Sequence, residues 1–245
     1  MGLGYLQVRN RLRIIDRMMF MDSRIRVFTG HFGSGKTEIA INYALRLAEQ
    51  GKKVTIADMD VVNPYFCSRD EEQLFMEKGI RLIATPKEMS NAELGTIPLA
   101  TPAVFNDKTY DVVLDVGGDD QGAVALGQYN RFFHEEDYDM YFVINTLRPD
   151  TSNADDTIAY IRAVERASRL RVKYLINNSN LSYETKTEHI LQGQSIVEEI
   201  SIKTGLPIKY TTVSEDMLGK LPGGLKGEIF PIKLFMLPPW RKDMQ

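Results

Sequence analysis

Short apolar runs alternate with helical patterns along most of the chain. Seven runs are apolar at nearly every position, as expected for strands that are covered on both faces of a sheet. They are residues 25–29, 54–57, 80–84, 111–116, 140–144, 172–176 and 207–211. Helical patterns lie between them, and the clearest are residues 36–50, 151–168 and 187–204. This alternation indicates right-handed βαβ units. We therefore predict a three-layer α/β fold, with helices on both faces of a mainly parallel, twisted sheet.

The two ends of the chain depart from this pattern. No linker rich in Gly, Ser or Pro divides the rest, so we predict one domain over residues 21–245. Residues 1–20 form an N-terminal extension with apolar side chains on one helical face and arginines on another. Such a helix is typical of a membrane-surface or partner contact, and the alternative is a disordered or non-native leader. Residues 230–245 are predicted to pack across the domain.

Composition narrows the classes of function. The 245 residues carry a net charge of -3, so the chain has no global attraction to nucleic acid. Cys67 is the one cysteine and the three histidines are scattered, which excludes a disulfide within the chain and a structural zinc site. We find no secretory signal and no apolar run of about 18 residues. These features predict a cytoplasmic protein without a transmembrane segment.

A phosphate-binding loop is the strongest motif. GHFGSGKT, residues 30–37, matches G-x-x-x-x-G-K-[ST] in full and lies between a strand and a helix. Its glycines allow successive amides to point at a phosphate, Lys36 can reach the β and γ oxygens, and Thr37 can bind Mg²⁺. We predict nucleotide contacts from Gly30, His31, Phe32, Gly33, Ser34, Gly35, Lys36, Thr37 and Glu38.

Acidic residues end two other predicted strands. Asp58 and Asp60 follow the second apolar run, at the sheet edge where ligands bind in parallel α/β folds. Asp115 ends the run at 111–116, as in a Walker B motif, and Gly118 completes D-x-x-G. These carboxylates can hold Mg²⁺ and orient a water for attack on the γ-phosphate, and Gly118 can approach that phosphate. The alternative for Asp58 and Asp60 is a solvated loop or a helix cap.

With GHFGSGKT, DMDVVNP after the second strand and DVGG after the fourth, the chain resembles the MinD/ParA/CobQ–CobB group of P-loop ATPases over residues 24–220. The resemblance implies that Asp60 positions the attacking water, that Asp58 supports magnesium and that Asp115 completes the metal shell. Lys36 and Asp60 are then the catalytic residues. Thr37, Asp58 and Asp115 are the metal residues.

One position departs from that group. MinD and ParA carry a lysine directly after the first loop glycine, which reaches the phosphates of a second subunit. Here that residue is His31, which is shorter and mostly neutral at pH 7. The departure weakens the expectation of a nucleotide-dependent homodimer. Metallochaperone GTPases also lack the lysine, but Cys67 has no neighbouring His or Cys that could form a metal-delivery site.

The base preference is predicted from the end of the sixth strand. The chain contains no N-K-x-D motif, by which P-loop proteins usually read guanine. Asn177 in YLINNSN resembles the adenine-facing asparagine of the ATPase branch, and its alternative role is in a turn. Relatives cover the other face of the base with the loop at 211–217. We therefore predict ATP with Mg²⁺.

The predicted function is a slow ATPase that acts as a nucleotide switch on an unidentified protein partner. Two alternatives use the same loop: a metabolic enzyme that is a ligase, amidotransferase or kinase, and a GTP-dependent accessory protein. A protein that binds nucleotide for stability without hydrolysis also fits the motifs.

Overall fold

One parallel sheet organises the protein. The computed structural model describes residues 22–59, 68–84, 101–118 and 120–236, so the N-terminal extension, Asp60 and Cys67 lie outside the described residues. The strands are β1 Ile25–Thr29, β2 Val54–Met59, β3 Arg81–Ile83, β4 Asp111–Val116, β5 Tyr138–Ile144, β6 Tyr174–Asn177, β7 Ile208–Ser214 and β8 Glu228–Ile232. Their order is β3-β2-β4-β1-β5-β6-β7-β8, with every pair parallel. The predicted α/β class is confirmed, and β8 is an edge strand that the apolar pattern did not predict.

Helices follow most strands. They are α1 Lys36–Glu49, α2 Glu72–Glu77, α3 Thr101–Asn106, α4 Asp120–Gly127, α5 Asn130–Glu135, α6 Ala154–Ser168 and α7 Thr187–Thr204. The predicted helix at 151–168 begins later, at Ala154, because the side chain of Asn153 accepts a hydrogen bond from Asp156 N (2.9 Å) and caps the helix there. Among the described residues, no helix has the length and apolarity needed to span a membrane.

The strands bury side chains on both faces of the sheet. In β1, Ile25 and Val27 belong to one core cluster and Phe28 belongs to the other, because successive strand side chains point to opposite faces. Helices α3 to α7 cover the first face, and α1 and α2 cover the second. Both faces are therefore apolar, as the continuous apolar runs in the sequence predict.

The strand order determines where loops meet. From β1, the chain crosses over β4 to reach β2 on one side, and strands β5 to β8 are added on the other side. In such a sheet, ligands bind in the crevice at the carboxyl ends of the strands, next to this change of direction. The loops that leave β1, β4, β5 and β6 therefore converge at one place.

A buried polar cluster lies at the opposite end of the sheet, just before β1. Asp22 Oδ2 accepts hydrogen bonds from the hydroxyls of Tyr43 (2.5 Å), Tyr141 (3.1 Å) and Tyr210 (3.2 Å). Lys209 Nζ donates to Asp22 Oδ1 at 2.9 Å. Burial raises the pKa of all three tyrosines. This cluster attaches the segment before β1 to α1, β5 and β7.

Candidate functional site

The predicted phosphate loop joins β1 directly to α1. Gly30 approaches β5 so closely that a Cβ there would overlap the carbonyl oxygen of Val143. Gly35 is the N-cap of α1 and has φ 83°, a left-handed conformation that favours glycine. The loop is tightened by a hydrogen bond from Ser34 N to His31 O at 3.0 Å. Gly33 is left-handed as well, with φ 73°, so the backbone of the loop favours glycine at all three glycine positions of GHFGSGKT.

The polar groups of the loop are buried and suited to an anion. Lys36 is 4% exposed and Thr37 is 6% exposed, although both lie in the first turn of α1. No side-chain hydrogen bond caps this helix at Gly35, and the N-terminus of a helix is a common binding place for an anion. The hydroxyl oxygen of Ser34 is buried and has no hydrogen-bond partner among the described residues. These features fit the phosphates of a nucleotide.

The structure brings two of the predicted metal residues together. Asp58 on β2 and Asp115 on β4 are register partners on adjacent parallel strands, and both side chains are buried. Ser68 Oγ donates to Asp115 Oδ2 at 3.0 Å. The described residues contain no group of three or more His, Cys, Asp or Glu side chains that could hold a metal ion. Mg²⁺ commonly uses only one or two carboxylates together with substrate phosphates, which Asp58, Asp115 and Thr37 fit.

Gly118 packs directly on the phosphate loop. A Cβ on Gly118 would overlap the carbonyl oxygen of Gly30 and would lie 2.9 Å from the amide nitrogen of Phe32. The D-x-x-G segment after β4 is therefore in contact with the loop that follows β1.

The segment between β5 and α6 also reaches the loop. Arg148 Nε donates a hydrogen bond to the carbonyl oxygen of Gly33 at 3.1 Å. His31 Nε2 lies 3.6 Å from Asp150 Oδ2, and the His31 ring packs on its edge against Tyr160, with 4.9 Å between ring centroids. No motif marks Arg148, whose only signal in the sequence is its place after an apolar strand.

A cavity of about 310 Å³ opens beside the loop. Its lining combines loop residues, two asparagines that follow β6 and apolar residues from the end of the described chain. They are Phe32, Gly33, Gly35, Lys36, Thr37, Glu38, Arg148, Asn178, Asn180, Ser182, Ile232, Leu234 and Met236. The loop at 211–217, which was predicted to cover the base, does not contribute to this lining.

Asn177, the predicted base contact, is not among the residues that line this cavity. The side chain is 1% exposed, and its oxygen accepts hydrogen bonds from Ser179 N (3.2 Å) and Ser179 Oγ (2.8 Å). The next residue, Asn178, lines the cavity and donates to Ser34 O at 2.6 Å. Neighbouring residues at the end of a strand point to opposite faces, so the asparagine that lines the cavity lies one position after the predicted one.

Glu38 makes contacts that its sequence position does not suggest. It lines the cavity, but its carboxylate accepts backbone hydrogen bonds from Phe235 N (2.7 Å) and Met236 N (3.0 Å). Asn42, one turn further along α1, donates to Lys233 O (2.9 Å) and accepts from Lys233 N (2.8 Å). Helix α1 therefore holds the segment that follows β8.

Comparison with known proteins supports the fold. No protein-family model matches the chain, and no curated protein matches it. Among solved structures, the chain is similar to cell division protein FtsY from Thermotoga maritima, with 18% identity and a TM-score of 0.53 over 78% of this chain and 62% of that chain. It is also similar to signal recognition particle receptor FtsY from Elizabethkingia anophelis in complex with GDP, with 16% identity and a TM-score of 0.52 over 80% of this chain and 58% of that chain.

The chain thus spans less than two thirds of the length of these structures. At such low identity the similarity establishes the fold of P-loop NTPases. It does not support the narrower resemblance to MinD and ParA.

Proposed function

We propose that this protein binds Mg²⁺ and ATP, hydrolyses the nucleotide slowly and acts as a nucleotide switch on a protein partner. The proposal rests on the contact of three separate segments with one phosphate loop. Gly118 after β4, Arg148 after β5 and Asn178 after β6 all touch the backbone of the loop or pack against it. A change in the loop when the γ-phosphate leaves would therefore reach all three segments, which is how a switch works.

The chemistry of hydrolysis is assigned to a few side chains. The loop amides and Lys36 would hold the β- and γ-phosphates, and Thr37, Asp58 and Asp115 would hold Mg²⁺. The ion supplies positive charge that stabilises the phosphate oxygens during phosphoryl transfer. The resemblance to MinD and ParA motivates the proposal that Asp60 orients the attacking water, although this residue lies outside the described part of the chain.

The lining of the cavity favours adenine over guanine. Among the described residues, Glu38 is the only carboxylate that lines the cavity, and both of its oxygens accept hydrogen bonds from the backbone. A guanine reader usually needs a carboxylate that accepts the N1 and N2 protons. Side-chain amides such as Asn178 and Asn180 can instead pair with adenine. GTP is the second candidate, because one of the similar structures contains GDP.

An exposed aromatic side chain supports a protein partner. Phe32 belongs to the phosphate loop and is 64% exposed. Aromatic side chains are enriched at protein interfaces. A partner that contacts Phe32 would bind the loop that also contacts the phosphates.

The proposal is tested by measuring phosphate release from ATP by the purified protein without any added small molecule. We expect slow turnover that the Lys36→Ala variant lacks. Turnover that appears only when a metabolite mixture is added would instead indicate a ligase or kinase. Thermal-shift titrations with Mg·ATP and Mg·GTP decide the base, since the ligand that binds more tightly stabilises the folded state more at equal concentration.

A further inference from the structure

The segment that follows β8 is held by the helix that begins at the phosphate loop. We call residues 233–236 the strap. Glu38 and Asn42 lie one turn apart on α1, and together they make four hydrogen bonds to the strap backbone, at distances of 2.7 to 3.0 Å. The side chains of Glu38 and Asn42, which belong to residues only 8% and 9% exposed, therefore fix the position of the strap backbone.

Alternate side chains from the end of β8 into the strap form an apolar wall. Ile232, Leu234 and Met236 line the cavity beside the phosphate loop. The backbone of the residues between them is bonded to α1, through Lys233 to Asn42 and through Phe235 to Glu38. Leu234, Phe235 and Met236 also pack against the core cluster that contains α1. The hydrogen bonds between α1 and the strap backbone therefore fix the position of these apolar side chains in the cavity.

The cavity has the two kinds of surface that a purine needs. Asn178 and Asn180 supply amides on one part of the lining, and each amide has two donors and two acceptor positions. Asn178 uses one donor on Ser34 O and one acceptor position on Thr212, so hydrogen-bonding capacity remains for a ligand. The strap supplies the apolar surface that the face of an aromatic ring favours.

We propose that the strap is the apolar wall of the nucleoside site, and that Glu38 and Asn42 are positioning residues that set affinity for the base. This inference rests on the proposed nucleotide function and specifies its base site. Glu38 directly follows Thr37, so the residue that holds the wall is the neighbour of a residue that would bind Mg²⁺. Occupation of the base site would then stabilise the strap, and occupation of the phosphate loop alone would not.

Binding measurements with two ligands separate the base site from the phosphate site. We would titrate Mg·ATP and Mg·tripolyphosphate, which lacks base and ribose, into the wild-type protein and into Glu38→Gln, Leu234→Ala and Glu49→Gln variants. Glu49 is the exposed last residue of α1, which makes it a matched control for Glu38. Thermal unfolding without ligand checks that each variant is folded.

We expect Glu38→Gln and Leu234→Ala to weaken ATP binding about tenfold or more, because an amide donates towards the strap N–H groups and alanine removes the wall. Tripolyphosphate binding should be unchanged in Leu234→Ala. In Glu38→Gln it should be unchanged or tighter, because a negative charge beside the loop is lost. Glu49→Gln should match the wild type for both ligands. Hydrogen exchange of peptides that contain residues 233–236 should slow with ATP and not with tripolyphosphate.

Three results would overturn the inference. One is ATP affinity in Glu38→Gln and Leu234→Ala that equals the affinity of Glu49→Gln. Another is an equal loss of affinity for both ligands in Glu38→Gln, which would place Glu38 at the phosphates. The third is a wild-type protein that binds Mg·tripolyphosphate and Mg·ATP with the same affinity, so that base and ribose add nothing to binding. If the wild-type protein binds neither ligand, the proposed nucleotide function is wrong, and the inference about the strap fails with it.

Discussion

Gly118 lies against the carbonyl oxygen of Gly30, with no room for a side chain between them. The two residues are far apart in sequence, and each follows a central strand of the sheet, β4 and β1. Their contact joins the segment that would respond to the γ-phosphate to the loop that would hold it.

Substitution of Gly118 by alanine should disable the site without unfolding the protein. The added Cβ would overlap Gly30 O, so one of the two loops has to move. A displacement of about 1 Å at a reacting group can lower turnover about hundredfold, and we expect a loss of that size in ATP hydrolysis. Gly223→Ala is the control, because a Cβ there has no atom within 4 Å. Equal turnover in the two variants would show that the contact has no functional role.

Asp115→Asn should remove the contribution of Mg²⁺ to nucleotide binding. The carboxylate is buried beside Asp58, and neutralising it weakens attraction for a divalent ion. At a nucleotide concentration of 100 times the Kd, the wild type should gain about 2.7 kcal/mol in free energy of unfolding. We expect this gain to depend on Mg²⁺ in the wild type but not in Asp115→Asn. Asp216→Asn is the control, because Asp216 is exposed, and its gain should depend on Mg²⁺ as in the wild type. Thermal unfolding with and without EDTA measures the difference.

Asn178 and Asn177 should respond to substitution in different ways. Asn178→Ala removes a side chain from the cavity and a hydrogen bond to the phosphate loop, so ATP should bind about tenfold more weakly. Asn177→Ala removes an acceptor for Ser179 inside the protein, so the free energy of unfolding should fall by about 1–3 kcal/mol while the Kd for ATP stays the same. Calorimetric titration and urea unfolding distinguish the two effects. The reverse pattern would restore Asn177 as the base contact.

The tyrosine cluster should make the folded state sensitive to alkaline pH. Burial raises the pKa of Tyr141 and Tyr210 above the ordinary value of 10.0, so above that pH the unfolded chain loses protons that the folded state retains. Stability is therefore fully present below about pH 10 and falls as pH rises, by up to about 1.4 kcal/mol per pH unit for each tyrosine. Urea unfolding between pH 8 and pH 11 measures this slope.

Removal of one hydroxyl from the cluster should flatten that slope. Near pH 8, Tyr210→Phe should lower the free energy of unfolding by about 1 kcal/mol, because Asp22 loses one of its hydrogen-bond donors. Between pH 8 and pH 11, the free energy of unfolding of this variant should fall less than that of the wild type. Tyr183→Phe is the control, because Tyr183 is 45% exposed. If Tyr210→Phe and the wild type have the same slope, then the buried hydroxyl does not control the alkaline transition.

Addition of a non-hydrolysable ATP analogue should leave the mass of the protein in solution unchanged. His31 takes the place of the lysine that acts across the dimer in MinD and ParA, and its ring is held beside Asp150 and Tyr160 of the same chain. Light scattering with and without the analogue measures the mass. A doubling that depends on the analogue would show that this protein dimerises without the lysine.

Local signals in the sequence were sufficient to predict most helices and strands and the loop at residues 30–37. GHFGSGKT predicts a loop between a strand and a helix, and the structure has that loop between β1 and α1. Helix α7 begins and ends at the predicted residues and is closed by Gly205. The apolar runs placed the inner strands of the sheet. These features depend on residues close together in the chain, so their spacing is sufficient to predict them.

The tertiary structure decided which residues face the cavity. β8 contains Pro231 and Glu228, which break its apolar run, and an edge strand tolerates both. The hydrogen bonds from the strap to Glu38 join residues that are 197 and 198 positions apart in sequence, and no local pattern indicates such a partner. Asn178 lines the cavity and Asn177 does not, because the two residues meet different faces of the sheet at the end of β6. Contacts of this kind follow from the order and register of the strands, which the periodicity of single segments does not contain.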